Sequence, residues 1–198
     1  ARAAADLAIK IGPGIGSAYA SRMLATPTPR WSERLDLMLR GVAADPEGGG
    51  GSGFLNGVYM ATGEVDKALS AVAKGRAHDP LDIGKMVRQA TALMMAGRAS
   101  EVRATFAEID RRAGPNYSRA AELRTTTALW WASPEEARAL LDKPVPARTG
   151  VSAQHRALLE SALTVIERRD AKALEAVHKA CSSAGEDRPM LLTCLSAG

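Results

Sequence analysis

Aromatic side chains are scarce in this sequence: three Trp, three Tyr and two Phe make up 4% of 198 residues. A sheet core leans on aromatic and β-branched residues, so a β-rich fold is disfavoured from the start. No apolar run approaches the roughly 18 residues that a membrane-crossing helix needs. The two cysteines, Cys181 and Cys194, are too few for a disulfide framework. They can pair in an oxidising compartment or sit reduced in a helix interface. Nor does one sign of charge dominate, because 26 Lys and Arg are interspersed with 22 Asp and Glu, for a formal net charge of +4. Nucleic-acid binding usually needs a clustered basic stripe, so that class is disfavoured as well. The chain starts at Ala1, without Met or a signal-peptide pattern. The expectation is a soluble, cytoplasmic or periplasmic chain without membrane insertion, excised or processed from something longer.

What is present is alanine, glycine and a 46% hydrophobic share, ample for a buried core. Small side chains at high helix propensity favour helix packed on helix, an all-α chain. A repeat organises it. Asp45-Pro46 and Asp79-Pro80 are 34 residues apart, as are Gly63 and Gly97. Ala68, Val102, Ala137 and Ala173 continue the series at intervals of 34, 35 and 36. A period of this size with a turn in its middle means a helix hairpin, repeated and stacked. Local signals agree: Ser133-Pro134-Glu135-Glu136 is a helix start, with a cap, a first-turn proline and acidic residues at the positive end of the dipole. Pro27, Pro29, Pro46, Pro80, Pro115, Pro144 and Pro146 all fall between expected helices.

At these spacings the chain resembles the tetratricopeptide repeat family. Leu55, Asn56, Tyr59, Gly63, Ala68 and Pro80 fall where that family places its large, small, aromatic, turn, small and terminating residues, although Asn56 replaces a small residue and Ser52 an aromatic. The next unit keeps Ala90, Leu93, Gly97 and Phe106, with Val102 for the helix-contact alanine. The resemblance implies a right-handed α-α superhelix of about four to five helix hairpins. Residues 1–46 would form a degenerate first unit, 47–80, 81–115, 116–146 and 150–183 the repeats, and 184–198 the start of a further helix, all in one domain.

The run from Asp45 to Gly57, DPEGGGGSGFLNG, holds six glycines in thirteen residues. Sixteen residues separate Pro46 from Gly63, the length of a first helix and its lead-in, so the run occupies a helix slot and adds no linker length. Each glycine costs about 1 kcal/mol against alanine in a helix, so the first turn is expected to fray or start late. The string also has the composition of a laboratory linker, which leaves its native or engineered origin open. It lacks the Lys-Ser/Thr pair of a phosphate-binding loop, and Ser52 lacks the flanking glycine and strand of a nucleophile elbow. A second glycine motif, IGPGIGSAYASRML, resembles a helix-hairpin-helix DNA-binding turn spanning Gly12 to Gly16. That reading would send Ala20 and Leu24 inward and use Lys10 and Arg22 as nearby cations. A plain turn between two helices is the simpler account.

Enzyme chemistry finds little support. His178 and Cys181 share a helical face with Cys194 as a conceivable third ligand, but a fourth ligand is not evident, so no metal or other cofactor is assigned. His78 and His155 read as solvated or capping residues, and Glu101, Asp110, Glu135 and Glu136 as exposed helix faces. At least one of the rings of Trp130 and Trp131 is expected to pack between repeats, which leaves only the other as a candidate ligand platform. No enzyme activity is expected. The expected function is a protein- or peptide-binding scaffold within a larger bacterial protein, and the resemblance implies that the first helix of each unit lines a concave face. There Gly50, Gly53, Gly57 and Met60 fall on one helical stripe, and Gly84, Val87, Thr91, Met94 and Met95 on the corresponding stripe of the next unit. Small residues allow a partner backbone close, and methionines give an adaptable apolar floor. The same methionines equally suit a helix core. Other classes are a small-molecule-sensing domain of a transcriptional regulator and non-specific DNA binding through the Gly12 to Gly16 turn.

Overall fold

The computed structural model describes residues 1–27, 29–46, 50–143 and 151–182, with the side chains of 50–52 excepted. The described residues form twelve helices and no strand. They fall into two compact units, Ala1–Ala96 and Gly97–Gly198. Residues 183–198, and with them the expected start of a further helix, lie outside the described residues.

The first unit holds α1 (Arg2–Ile11), α2 (Gly16–Leu24), α3 (Trp31–Ala44), α4 (Gly50–Ala61), α5 (Val65–His78) and α6 (Ile83–Met95). Consecutive helices pack as hairpins, and α2 touches α4 as α4 touches α6, so first helices lie beside first helices. The core between them gathers Tyr19, Met23, Leu37, Met38, Leu55 and Val58. Gly16 and Gly41 set one crossing: a Cβ on Gly16 would stand 2.9 Å from Asp45 Cβ, and one on Gly41 2.9 Å from Tyr19 Cβ. Arg22, 7% exposed, ties three helices by donating to Asp6 (2.6 Å), Thr26 (2.6 Å) and Glu33 (3.1 Å). Burial pulls its pKa down, but the hydrogen bonds and charges of Asp6 and Glu33 outweigh burial and hold it above the ordinary value.

Between α4 and α5, Ala68 is fully buried, and Asn56, equally buried, donates from Nδ2 to the Ala68 carbonyl at 3.0 Å. A polar residue thus stands at a normally small repeat position because its amide reaches the facing backbone. Gly63 then ends α4 in a left-handed turn at φ 78°, with Glu64 N–H donating to Tyr59 O (2.8 Å) and Gly63 N–H to Met60 O (3.2 Å). This pair of bonds satisfies carbonyls that the helix end leaves open.

The second unit holds α7 (Ala99–Ala113), α8 (Ser118–Thr126), α9 (Ala128–Trp131), α10 (Pro134–Leu141), α11 (Ala153–Arg168) and α12 (Ala171–Ser182). Its cores gather Ala128, Ala137, Leu141, Leu159 and Leu163, then Leu158, Ala162 and Val177. The break between α8 and α9 falls in a threonine run, where Thr126 and Thr127 hydroxyls both donate to the Leu123 carbonyl. Such back-bonding competes with the helix ladder and bends it. At the head of α10, Ser133 accepts from Glu136 N–H (3.2 Å) while Glu136 Oε2 accepts from Ser133 N–H (2.8 Å), a complete capping box. Val102 and Ala137 are buried at the repeat's contact position, whereas Ala173 is half-buried.

Two expectations are corrected by burial. Leu24 is 60% exposed, because α2 turns Ala20 and Met23 to the core instead. His155 is 1% exposed, the third residue of a helix whose cap Ser152 accepts from His155 N–H; its ring packs inside and is not solvated.

Candidate functional site

The first-helix face of the first unit is carried by α2, α4 and α6. α4 begins at Gly50, so the glycine run does enter the helix, while Glu47, Gly48 and Gly49 lie outside the described residues. Gly53 and Gly57 differ in surroundings. A Cβ on Gly53 would meet the Arg88 guanidinium, 3.1 Å from Nη1 and 3.2 Å from Cζ, whereas one on Gly57 would meet nothing within 4 Å. Met60 is half-buried one turn further along. On α6, Gly84 leaves a site 3.0 Å from Asp82 Oδ1, the cap that accepts from Lys85 N–H. Thr91 donates its hydroxyl to the Val87 carbonyl at 3.1 Å, and Val87 and Met94 are core residues at 4% and 5% exposure. Met95, 39% exposed, is the methionine of this helix that meets solvent. Arg88, which the sequence stripe passes over, is the side chain that covers Gly53.

A second concavity lies in the second unit, where α7, α9, α10 and Lys143 just after α10 border an open cleft of about 330 Å³. Trp131, the last residue of α9, packs its ring on Phe106 with centroids 5.4 Å apart, and its indole N–H has no acceptor among the described residues. Trp130 is half-buried. Arg103 clamps Glu136 through both carboxylate oxygens, at 2.8 and 2.5 Å, and also donates to the Trp131 carbonyl at 3.3 Å. The Arg103 hydrogen bond, then the cap bond from Ser133 N–H, hold the Glu136 carboxyl at about 2. Glu136 and Asp110 therefore depart from the plain exposed faces expected of them; Asp110 binds Arg124 at 2.7 Å.

Elsewhere the candidate chemistry stays apart. Among the described residues no group of three or more His, Cys, Asp or Glu could hold a metal ion. Cys181 is disulfide-bonded, and Cys194, the chain's other cysteine, lies outside the described residues. At the Gly12 to Gly16 turn, Arg22 is engaged in the core as described, and a Cβ on Gly14 would meet nothing within 4 Å. No described helix is long and apolar enough to cross a membrane.

Solved structures resemble this arrangement of helices. TTC0263, a thermophilic TPR protein of Thermus thermophilus, is matched over 85% of this chain and 91% of its own, with a TM-score of 0.62 and 18% identity. This chain has the tetratricopeptide-repeat fold. YrrB, described as a TPR protein with an unusual peptide-binding site, is matched over 97% of this chain and 98% of its own, with a TM-score of 0.59 and 13% identity. No protein-family model matches the sequence, and no curated protein matches it. The TPR fold is thus carried here by spacing and packing at a level of identity where few side chains agree.

Proposed function

We propose that this TPR chain is a non-catalytic protein- or peptide-binding module. An extended peptide lies along the first helices of the first unit, over Gly50, Gly53, Gly57 and Met60 of α4 and Gly84, Thr91 and Met95 of α6; Met94, expected on the same floor, is buried beneath it. The observation that carries this reading is the open space over Gly57, on a helix that contacts first helices on both sides. A partner backbone can approach the helix there, with half-buried Met60 one turn along α4 and the Arg88 guanidinium over Gly53 one turn back. YrrB, a protein of the same fold with a peptide-binding site, supports the class of partner. Met94 and Val87 support the floor from beneath.

A peptide array probed with the purified chain tests it. Gly57→Leu projects from a position where a Cβ meets nothing within 4 Å, so it is expected to keep the helical melt and lose the captured peptides. Peptides captured equally by wild type and Gly57→Leu would place binding elsewhere.

A further inference from the structure

The cleft of the second unit is lined by two rows of residues with the same spacing. From α7 it takes Arg103, Phe106, Ala107 and Asp110, from α9 Trp131, and from α10 Glu136, Ala139 and Leu140, with Lys143 just past the end of that helix. Each row runs at helical steps of three, one and three, and the rows correspond residue by residue at an offset of 33. Arg103 thus answers Glu136, Phe106 answers Ala139, Ala107 answers Leu140, and Asp110 answers Lys143. At the first level the opposite charges meet and close that end with a bidentate pair. Between the charged ends the lining is apolar, from Phe106, Ala107, Ala139 and Leu140, which leaves an apolar slot. At the last level the charges are again opposite, but Asp110 is drawn away to Arg124, 2.7 Å distant, whose guanidinium also lies 4.7 Å from the Phe106 ring centroid. Lys143 is left as a lining cation that no ion pair among the described residues neutralises.

We propose that the slot between α7 and α10 is a second peptide-docking site, which takes one large apolar side chain and pairs an acidic residue of the same peptide with Lys143. The slot is lined mainly by α7 and α10, second helices of their repeats, so it is distinct from the first-helix face of α4 and α6. Its volume of about 330 Å³ suits a side chain and its flanking backbone. Charge complementarity selects the partner: a basic peptide would meet Lys143 unscreened, and a neutral one would gain only the apolar contact. The walls are fixed beforehand, because Glu136 is held both by Arg103 and by the α10 cap, so little ordering is required on binding.

The probe is the acetylated, amidated tetrapeptide Gly-Phe-Glu-Gly, with Gln and Lys analogues at the acidic position, followed by the NMR signal of the Trp131 indole N–H. The Glu peptide is expected to shift that signal along a saturable curve in the range of about 1 mM. Gln should weaken binding by about two- to fivefold, the range of an exposed ion pair, and Lys further. Lys143→Glu should reverse the order of the Glu and Lys peptides, and Ala139→Trp, at an exposed position, should abolish the shift with the thermal melt retained. Should Ala139→Trp unfold, the charge reversal at exposed Lys143 still decides. An unmoved Trp131 signal at about 10 mM peptide, or an order of peptides indifferent to Lys143→Glu, would overturn the proposal. Gly57→Leu, on α4, leaves this signal response as it is, so failure of either peptide site is read separately.

Discussion

The turns at Gly63 and Arg169 place two residues in the same left-handed backbone region by different means. Gly63, at φ 78°, closes α4 with two hydrogen bonds and no side chain to strain. Arg169, at φ 51° and ψ 39°, closes α11 with a Cβ that this region disfavours, and the following Asp170 compensates by accepting from Lys172 N–H (2.8 Å) and Ala173 N–H (3.0 Å). The repeat thus prescribes a backbone shape, and the residue that supplies it varies. Where glycine supplies it, the 34-residue spacing is visible in the sequence. Where a strained arginine and a cap supply it, only the structure shows it.

The largest effect is expected at the repeat's contact position. Ala68 is 0% exposed between α4 and α5, while Ala173 is half-buried on α12. Ala68→Trp should overpack the contact and lower unfolding free energy by about 1 to 3 kcal/mol. Ala173→Trp should cost clearly less, since its side chain can lean into solvent. Chemical denaturation of both variants checks this, and equal losses would mean that the two positions are equivalent after all.

Exchanging the turn residues sharpens the comparison further. Gly63→Ala puts a Cβ into the left-handed region and should cost about 1 kcal/mol, and Arg169→Gly relieves the same strain and should gain a comparable or smaller amount. Opposite movements of the melting temperature are the expected result. A loss at both positions would show that the Arg169 side chain contributes more than its backbone strain removes.

The box at Ser133 gives a third kind of turn, and its charge can be read by pH. The folded Glu136 carboxyl sits at about 2 against an ordinary 4.5, so it contributes stability that is fully present above about 4.5 and lost as pH falls toward about 2. Glu136→Gln keeps the cap geometry and removes the charge. Its melting temperature should therefore fall less steeply over that window than the wild type's, measured in thermal scans. Glu33, Glu108 and Glu135 are also held low, so some acid sensitivity persists in the variant.

The positions that demand one kind of residue were legible: the left-handed glycines, the Ser-Pro-Glu-Glu start, the buried Ala68, Val102 and Ala137, and Pro27, Pro29, Pro46, Pro80 and Pro115 between helices, whereas Pro144 and Pro146 lie outside the described residues. Each follows from a local rule about dihedrals, missing donors or space. What a glycine faces is not local. Gly16, Gly53 and Gly57 look alike in sequence, yet one is a tight helix crossing, one lies under Arg88 and one is open. The α7 and α10 rows escaped notice because they come from different repeats, and the charged residues in them read singly as solvated. Their charges do pair in sequence, since Arg103 and Glu136, like Asp110 and Lys143, are 33 residues apart and opposite in sign, but that offset is two short of the 35 that separates Val102 from Ala137, so a comparison in the repeat's own register passes over it.

The smallest expected effect concerns Gly57, and it separates an open helix face from a packed one. At helical dihedrals, alanine in place of glycine restricts the unfolded chain and stabilises by about 0.4 to 1 kcal/mol where the added methyl has room. Gly57 has that room, with no heavy atom within 4 Å of the position a Cβ would take. Gly16 does not, since Asp45 Cβ and the Gly41 carbonyl stand 2.9 and 3.0 Å from its own. Gly57→Ala should raise the melting temperature slightly, and Gly16→Ala should lower it by forcing α2 away from α3. The two scans together test the geometry of the proposed peptide face without any ligand. A fall for Gly57→Ala would mean that something already occupies the space above α4, and the peptide face would have to be sought elsewhere.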